Sequence, residues 1–172
     1  MRQGARRAGA AGVGPSVTAC SHVPAPTPPA AAIATALSAA EAKCIAQGER
    51  WTASRRRTYE LLLEAGAPVK AYDLLSGYAV EGAPAAKPPT VYRALDFLLT
   101  HGLVHRIESL NAFVACTADG AHSAEFLICD CCGRVEELGL GVDRAAVVAA
   151  ADRGFQPTRV VLEVHGLCAD CH

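Results

Sequence analysis

Apolar and polar side chains separate onto two faces of a predicted helix near the middle of the chain. The predicted buried positions are Val91, Leu95, Leu98 and Leu99, and the predicted exposed positions are Tyr92, Arg93 and Asp96. This spacing of three to four residues is typical of an amphipathic helix that packs one face against a core. Pro88 and Pro89 favour its start and Gly102 favours its end. The polar face is therefore left for solvent or for a partner.

Further helical signals precede this segment, and a β-hairpin follows it. Ser38 with Glu41 three residues later forms a capping box, which predicts a helix from Ser38 to about Gln47. Helices are also predicted over residues 54–64 and 71–75, and strands over 103–108 and 112–116. Short helices followed by a β-hairpin are typical of a winged helix-turn-helix domain, in which the last helix enters the major groove of DNA.

The last third of the chain combines strands with one helix. The apolar run of residues 126–129 predicts a buried strand, residues 142–152 a helix, and residues 157–165 a further strand. A strand–strand–helix–strand module of about 60 residues cannot bury much apolar surface by itself, so we expect a homodimer. A two-fold dimer would read a palindromic operator with two recognition helices. The predicted fold class is therefore α+β, a winged-helix domain followed by a small α/β dimerisation and metal-binding domain.

Two C-x-x-C pairs point to a metal site in this second module. The pairs are Cys129 with Cys132 and Cys168 with Cys171, and Cys131 is an extra thiol inside the first pair. Four sulfurs are what tetrahedral zinc takes in a closed structural site. The alternative is a set of unrelated core cysteines, the interpretation we give to the solitary Cys44.

The charge of the chain is uneven. Its 172 residues have a net charge of −1. Residues 38–107 carry +2 and residues 108–172 carry −6. This asymmetry favours a front half that meets phosphates and a back half that meets cations. There is no run of 18 apolar residues, so no membrane partner is expected, and thiols held by metal indicate a reducing compartment, the cytoplasm.

The N-terminal segment is rich in Ala, Pro and Gly. We predict a disordered tail over residues 1–37, ahead of a winged-helix domain over 38–107 and a dimerisation domain over 108–172. Arg2, Arg6 and Arg7 before a run of small residues that ends at Cys20 are also compatible with an export signal. That run lacks leucine and is broken by Pro15, which makes a poor signal peptide.

Several motifs resemble those of the ferric-uptake-regulator family, in particular its zinc-uptake-regulator branch. They are AKPPTVYRALDFL at residues 86–98, AYDLL at 71–75, CDCCG at 129–133 and HGLCADC at 165–171. The resemblance covers about residues 38–172. One departure is Trp51-Thr52-Ala53-Ser54-Arg55, where the family usually has Leu-Thr-Pro-Gln-Arg.

The resemblance implies a second, regulatory zinc site. Its implied ligands are His105, Cys116, His122 and Glu137. Imidazole, thiolate and carboxylate ligands together suit zinc, and such a mixed site exchanges its metal more readily than four thiolates do. Iron- and peroxide-sensing relatives carry a histidine-rich run near this loop, whereas residues 118–122 here offer one histidine. We therefore expect two zinc ions per chain, one structural and one regulatory.

The implied function is a zinc-responsive repressor of zinc-uptake genes, not an enzyme and without a small-molecule substrate. Arg93 is the predicted guanine contact, Tyr92 the predicted contact to a thymine methyl or sugar, and Arg55 and Lys87 the predicted phosphate contacts, with Thr90 beside them. Three alternatives stay open: an iron- or peroxide-responsive regulator, a zinc hydrolase or deaminase, and a thiol-redox switch at Cys131 and Cys132. The deaminase signature H-x-E…P-C-x-x-C is absent from the sequence.

Overall fold

The computed structural model describes residues 28–78, 87–116, 125–138, 142–158 and 160–171. The tail up to residue 27 and the loop that contains His122 lie outside these described residues. Four helices and a hairpin come first: α1 (Ala30–Ala46), α2 (Ala53–Ala65), α3 (Ala71–Gly77), α4 (Pro88–Thr100), β1 (Val104–Ile107) and β2 (Ala112–Ala115). A second group follows: β3 (Glu125–Cys129), β4 (Val135–Leu138), α5 (Val142–Ala151) and β5 (Leu162–Gly166). The α+β class predicted from the sequence is confirmed.

The first helix begins eight residues before the predicted capping box. Pro29 is its N-cap residue, and the Ser38 hydroxyl donates to the Ala34 carbonyl oxygen at 3.0 Å from within the helix. The capping-box prediction is therefore wrong, and residues 30–37 are helical rather than part of a disordered tail. Alanine has the highest helix propensity, which explains why this alanine-rich stretch continues the helix upstream.

The four helices and the hairpin enclose one apolar core. The buried positions of α4 are Val91, Ala94, Leu95 and Leu98. The predicted stripe is thus confirmed except at Leu99, which is only partly buried. Cys44 is fully buried in this core, as expected of a small apolar residue. Packing of α4 against α2 and α3 leaves its polar face outward.

The β1–β2 hairpin spans the domain boundary predicted from the sequence. β1 and β2 pair antiparallel, with His105 opposite Val114, and Asn111 adopts φ 47° in the turn. The predicted boundary at residues 107–108 therefore falls between two paired strands of one hairpin.

A three-stranded sheet of order β4-β3-β5 forms the second domain. β3 pairs antiparallel with β4 and parallel with β5. The last strand starts at Leu162 and not at residue 157 as predicted. One face of the sheet packs on the hairpin through Ile107, Phe126 and Ile128, which are all buried. No helix in the described part of the chain is long and apolar enough to cross a membrane.

Candidate metal centres and nucleic-acid interface

The parallel pairing of β3 and β5 brings the two C-x-x-C pairs together. Cys129 ends β3 opposite Gly166 at the end of β5, and the carboxyl ends of parallel strands meet at the same edge of a sheet. The sulfurs of Cys129, Cys132, Cys168 and Cys171 all lie within 4.8 Å of one another. Cys131 does not belong to this group, so the geometry agrees with Cys132 as the second residue of the pair.

Backbone hydrogen bonds shape both turns around the sulfurs. The Gly133 N–H donates to the Cys129 carbonyl at 2.9 Å, and Gly133 has φ 72°, a conformation that glycine adopts without strain. The Cys168 N–H donates to the Cys129 sulfur at 3.3 Å, which ties one turn to the other. An ion pair of 2.9 Å between Arg134 and Asp170 adds a second link.

Two thiols of this group, Cys129 and Cys171, have opposed pKa shifts. The backbone N–H of Cys132, followed by that of Cys168, lowers the pKa of the Cys129 thiol to about 6. Burial, followed by hydrogen bonding with the neighbouring thiols, raises the pKa of Cys171 far above its ordinary value. Clustered thiols resist full ionisation because like charges repel, so four thiolates require a cation among them.

The spacing of the sulfurs fits zinc. Tetrahedral coordination at about 2.3 Å from metal to sulfur places neighbouring sulfurs about 3.8 Å apart. The sulfurs of Cys132 and Cys168 are separated by 3.8 Å, and those of Cys168 and Cys171 by 3.3 Å. A set of four sulfurs leaves no coordination position for substrate, so this group has the chemistry of a structural site.

A second group of ligand atoms spans the two domains. His105 on β1, Cys116 just after β2 and Glu137 on β4 bring their ligand atoms within 4.8 Å of one another. The His105 Nε2 lies 3.4 Å from the Glu137 Oε1. Three of the four expected ligands are therefore brought together, and His122 lies outside the described residues.

Contacts from both domains hold these ligands in place. The Cys116 N–H donates to the Leu103 carbonyl at 2.9 Å, which extends the hairpin ladder by one step. The Tyr59 hydroxyl on α2 donates to the Cys116 carbonyl at 2.9 Å. Burial, with a smaller contribution from Cys116, raises the pKa of Tyr59 to about 12. The His105 ring packs edge-on against Phe126 at a centroid distance of 6.0 Å.

The exposed face of α4 carries most of the predicted DNA contacts. Lys87, Thr90, Tyr92 and Arg93 are all exposed. Tyr72 on α3 is 77% exposed, the largest value among the exposed large hydrophobic residues of the described chain. Tyr72 is not among the predicted DNA contacts, although it lies in the AYDLL motif.

Arg55 is the predicted contact that the geometry supports least. Its guanidinium lies over the Phe97 ring, 3.3 Å from the ring centroid, and 3.8 Å from the Glu49 carboxylate. It also donates to the Arg50 carbonyl. These intramolecular contacts hold the side chain against the back of α4.

Comparisons with known proteins identify the family of this chain. A model of the ferric uptake regulator family matches residues 46–165. The zinc uptake regulation protein of Escherichia coli strain K12 is 44% identical over 138 residues, which cover 78% of this chain and 80% of that protein. A solved zinc uptake regulator in complex with zinc and DNA is 41% identical, with a TM-score of 0.74 and coverage of 81% of this chain and 94% of the other. The crystal structure of holo XcZur is 48% identical, with a TM-score of 0.71 and coverage of 80% and 96%. The chain described here belongs to the ferric uptake regulator family.

Proposed function

We propose that the protein is a zinc-responsive transcriptional repressor that binds palindromic operators of zinc-uptake genes as a homodimer. The helices and the hairpin, through about residue 116, would read DNA. The remaining residues would form the dimer and hold zinc, with two ions per chain. The thiol ligands imply a reducing compartment, which is consistent with the cytoplasm.

One observation carries the proposal: side chains able to bind a metal approach one another from the hairpin and from the second sheet. His105 and Cys116 belong to the hairpin and Glu137 to the second sheet. An ion held by all three would fix the orientation of the hairpin relative to the sheet, and with it the orientation of α4. Zinc that binds one orientation better than the others shifts the population towards it by its differential affinity. The similarity to a regulator solved with zinc and DNA supports the same conclusion.

The ligand chemistry supports zinc over iron or manganese. Cys116 is a soft thiolate donor and is 3% exposed. Thiolate with imidazole and carboxylate suits zinc, whereas hard oxygen ligands suit manganese. Two anionic ligands, Cys116 and Glu137, would balance the charge of a divalent ion.

Exposed apolar side chains on the second domain support dimerisation. Val148 on α5 is 59% exposed, and Phe155 just after it is 66% exposed. On the sheet, Leu127 of β3 and Val164 of β5 are paired in register and are 38% and 45% exposed. Paired residues share a sheet face, so these two side chains form an exposed apolar pair that suits a second copy of the chain.

The proposal is tested by titrating DNA binding against buffered free zinc. The probe is a duplex selected from random sequences with the zinc-loaded protein, and a scrambled duplex is the control. We expect tight binding to the selected duplex only when about two zinc ions are bound per chain. Binding that is independent of zinc, or a response to iron or peroxide alone, would contradict the proposal. Zinc-dependent hydrolysis of a substrate would favour an enzyme.

A further inference from the structure

Glu163, whose carboxylate belongs to neither candidate metal site, forms hydrogen bonds from one domain to the other. The Glu163 Oε1 accepts a hydrogen bond from the Glu108 N–H at 2.6 Å, and its Oε2 accepts one from the Ser109 N–H at 3.0 Å. Glu163 lies on β5 of the second domain, whereas Glu108 and Ser109 form the start of the hairpin turn. The Glu163 side chain is only 11% exposed, so water competes weakly for these bonds.

The strand register relates Glu163 to the candidate regulatory site. Phe126 on the central strand is paired with Glu137 on β4 and with Glu163 on β5. Directly paired residues share a face, so both carboxylates lie on the face that packs against the hairpin. They are the two ends of one row of side chains across the sheet.

The two carboxylates meet β1 at its two ends. Glu137 contacts His105 near the start of the strand, and Glu163 contacts the turn just after its end. Glu108 is three positions after His105, so the two contact points lie about 10 Å apart at the rise of a β-strand. A single contact would act as a pivot, whereas two contacts on one strand leave only rotation about the line between them.

The electrostatics of Glu163 agree with a permanent hydrogen-bonded carboxylate. Burial opposes its ionisation, but hydrogen bonds from Ser109 and Glu108 outweigh burial and lower the pKa of Glu163. His165, with its Nε2 3.9 Å from the Glu163 Oε2, adds to this direction. These hydrogen bonds therefore favour the charged form of the Glu163 carboxylate.

We propose that Glu163 is a positioning residue that holds the hairpin turn on the second sheet and sets the domain orientation that the regulatory zinc then locks. This inference rests on the proposed zinc-responsive function and adds a second contact, independent of metal, to the same hinge. Glu137 would be the contact that responds to zinc, and Glu163 the contact that does not. Without Glu163, zinc would still bind, but the turn end of the hairpin would be held on the sheet by apolar packing alone.

The first test compares Glu163→Ala with wild type and with a matched control. Glu64→Gln is the control because Glu64 is an exposed carboxylate on α2, outside both the hairpin and the second sheet. For Glu163→Ala we expect unchanged zinc content, dimerisation and affinity for scrambled DNA. The gain in affinity for the selected duplex on adding zinc should fall about tenfold, the scale expected for losing hydrogen bonds to a charged group. Glu163→Gln, which retains one acceptor oxygen, should show a smaller loss, and Glu64→Gln none.

The second test measures the contact between Glu163 and the hairpin turn in the absence of DNA. Amide hydrogen exchange at Ser109 should be slow in the zinc-loaded wild type and in Glu64→Gln, and faster in Glu163→Ala. The inference would be overturned if Glu163→Ala kept the full zinc response of wild type and showed unchanged amide exchange at Ser109. Loss of zinc or of the dimer in both Glu163 variants would also overturn it, because the residue would then be merely structural. A wild-type protein whose DNA affinity does not change with zinc would instead contradict the proposed function. The rate of amide exchange at Ser109 would then test the Glu163 contact by itself.

Discussion

The Nε2 of His105 and the Oε1 of Glu137 lie 3.4 Å apart, although the two residues belong to separate sheets. Cys116 completes this group from the end of the hairpin. A metal ion bound by all three side chains would link the two sheets. Removing that ion would leave the domains joined only by contacts that do not depend on metal, so the site would act as a switch.

The first prediction separates sensing from folding. Cys116→Ser replaces a thiolate that would bind zinc with a hydroxyl that binds it poorly. The bound zinc should fall from about two ions to about one per chain, while the dimer persists. The gain of operator affinity with rising zinc, typically equivalent to about 1–3 kcal/mol of coupling, should disappear. Zinc analysis and fluorescence anisotropy check both results, and a variant that keeps the wild-type response would place the sensor elsewhere.

The second prediction concerns the structural site. The Cys168 sulfur lies within 3.8 Å of the Cys132 sulfur and its N–H reaches the Cys129 sulfur. Cys168→Ser should therefore unfold the second domain and abolish the dimer, since structural zinc contributes folding free energy directly. Cys131→Ser is the matched control and should be mild, because Cys131 is not one of the four clustered cysteines. Sedimentation and circular dichroism measure both. Dimer loss in Cys131→Ser with a normal Cys132→Ser would reverse the ligand assignment.

The third prediction addresses base recognition. Arg93→Ala should weaken binding to the selected duplex by about 1–3 kcal/mol and leave scrambled DNA nearly unaffected, as expected when a bidentate contact to guanine is lost. Arg153→Ala, which removes another exposed arginine from the second domain, serves as the control. Equal losses on both duplexes would make Arg93 a phosphate contact instead.

The fourth prediction distinguishes two cations that the sequence treats alike. Lys87 is exposed, so Lys87→Ala should lower the slope of log affinity against log salt by about one ion. Arg55 stacks on Phe97, so Arg55→Ala should leave that slope unchanged. It should instead reduce the free energy of unfolding by about 0.5–2 kcal/mol through loss of the cation–π contact. A salt slope altered by Arg55→Ala would restore the original assignment of Arg55 to phosphate.

The fifth prediction follows from the pKa of Tyr59, which burial raises to about 12. In the unfolded chain a tyrosine ionises near pH 10, so between pH 10 and 12 the unfolded state loses this proton first and stability falls as pH rises. The loss should approach about 1.4 kcal/mol per pH unit in that window. Urea unfolding at pH 9 and pH 11 should show a smaller decline for Tyr59→Phe than for wild type. Equal declines would show that Tyr59 does not contribute to the pH dependence.

Sequence reasoning found the features that are local in the chain. Each C-x-x-C pair lies within four residues, and the apolar stripe of α4 within ten, so periodicity and spacing identify them. The second site could not be found this way, because its ligands come from three separated elements and only the family resemblance grouped them. Glu163 had no signal at all, since a glutamate in a strand usually faces water. The predicted start of α1 at Ser38 is wrong because the alanines before it have a high helix propensity, which extends the helix upstream of the capping motif.

If both candidate sites hold zinc, the strand order β4-β3-β5 would make metal loading of a newly synthesised chain sequential. β3 joins β4, which carries Glu137, to β5, which leads into the second thiol pair. Before the four cysteines closed around an ion, three short strands would have little to keep them paired, and Glu137 would have no fixed place. The tight site would therefore fill before the weaker one formed. Each chain would bind one zinc ion to mature before it could report on the next, and a starved cell would hold immature chains open to proteolysis rather than a pool of empty sensors.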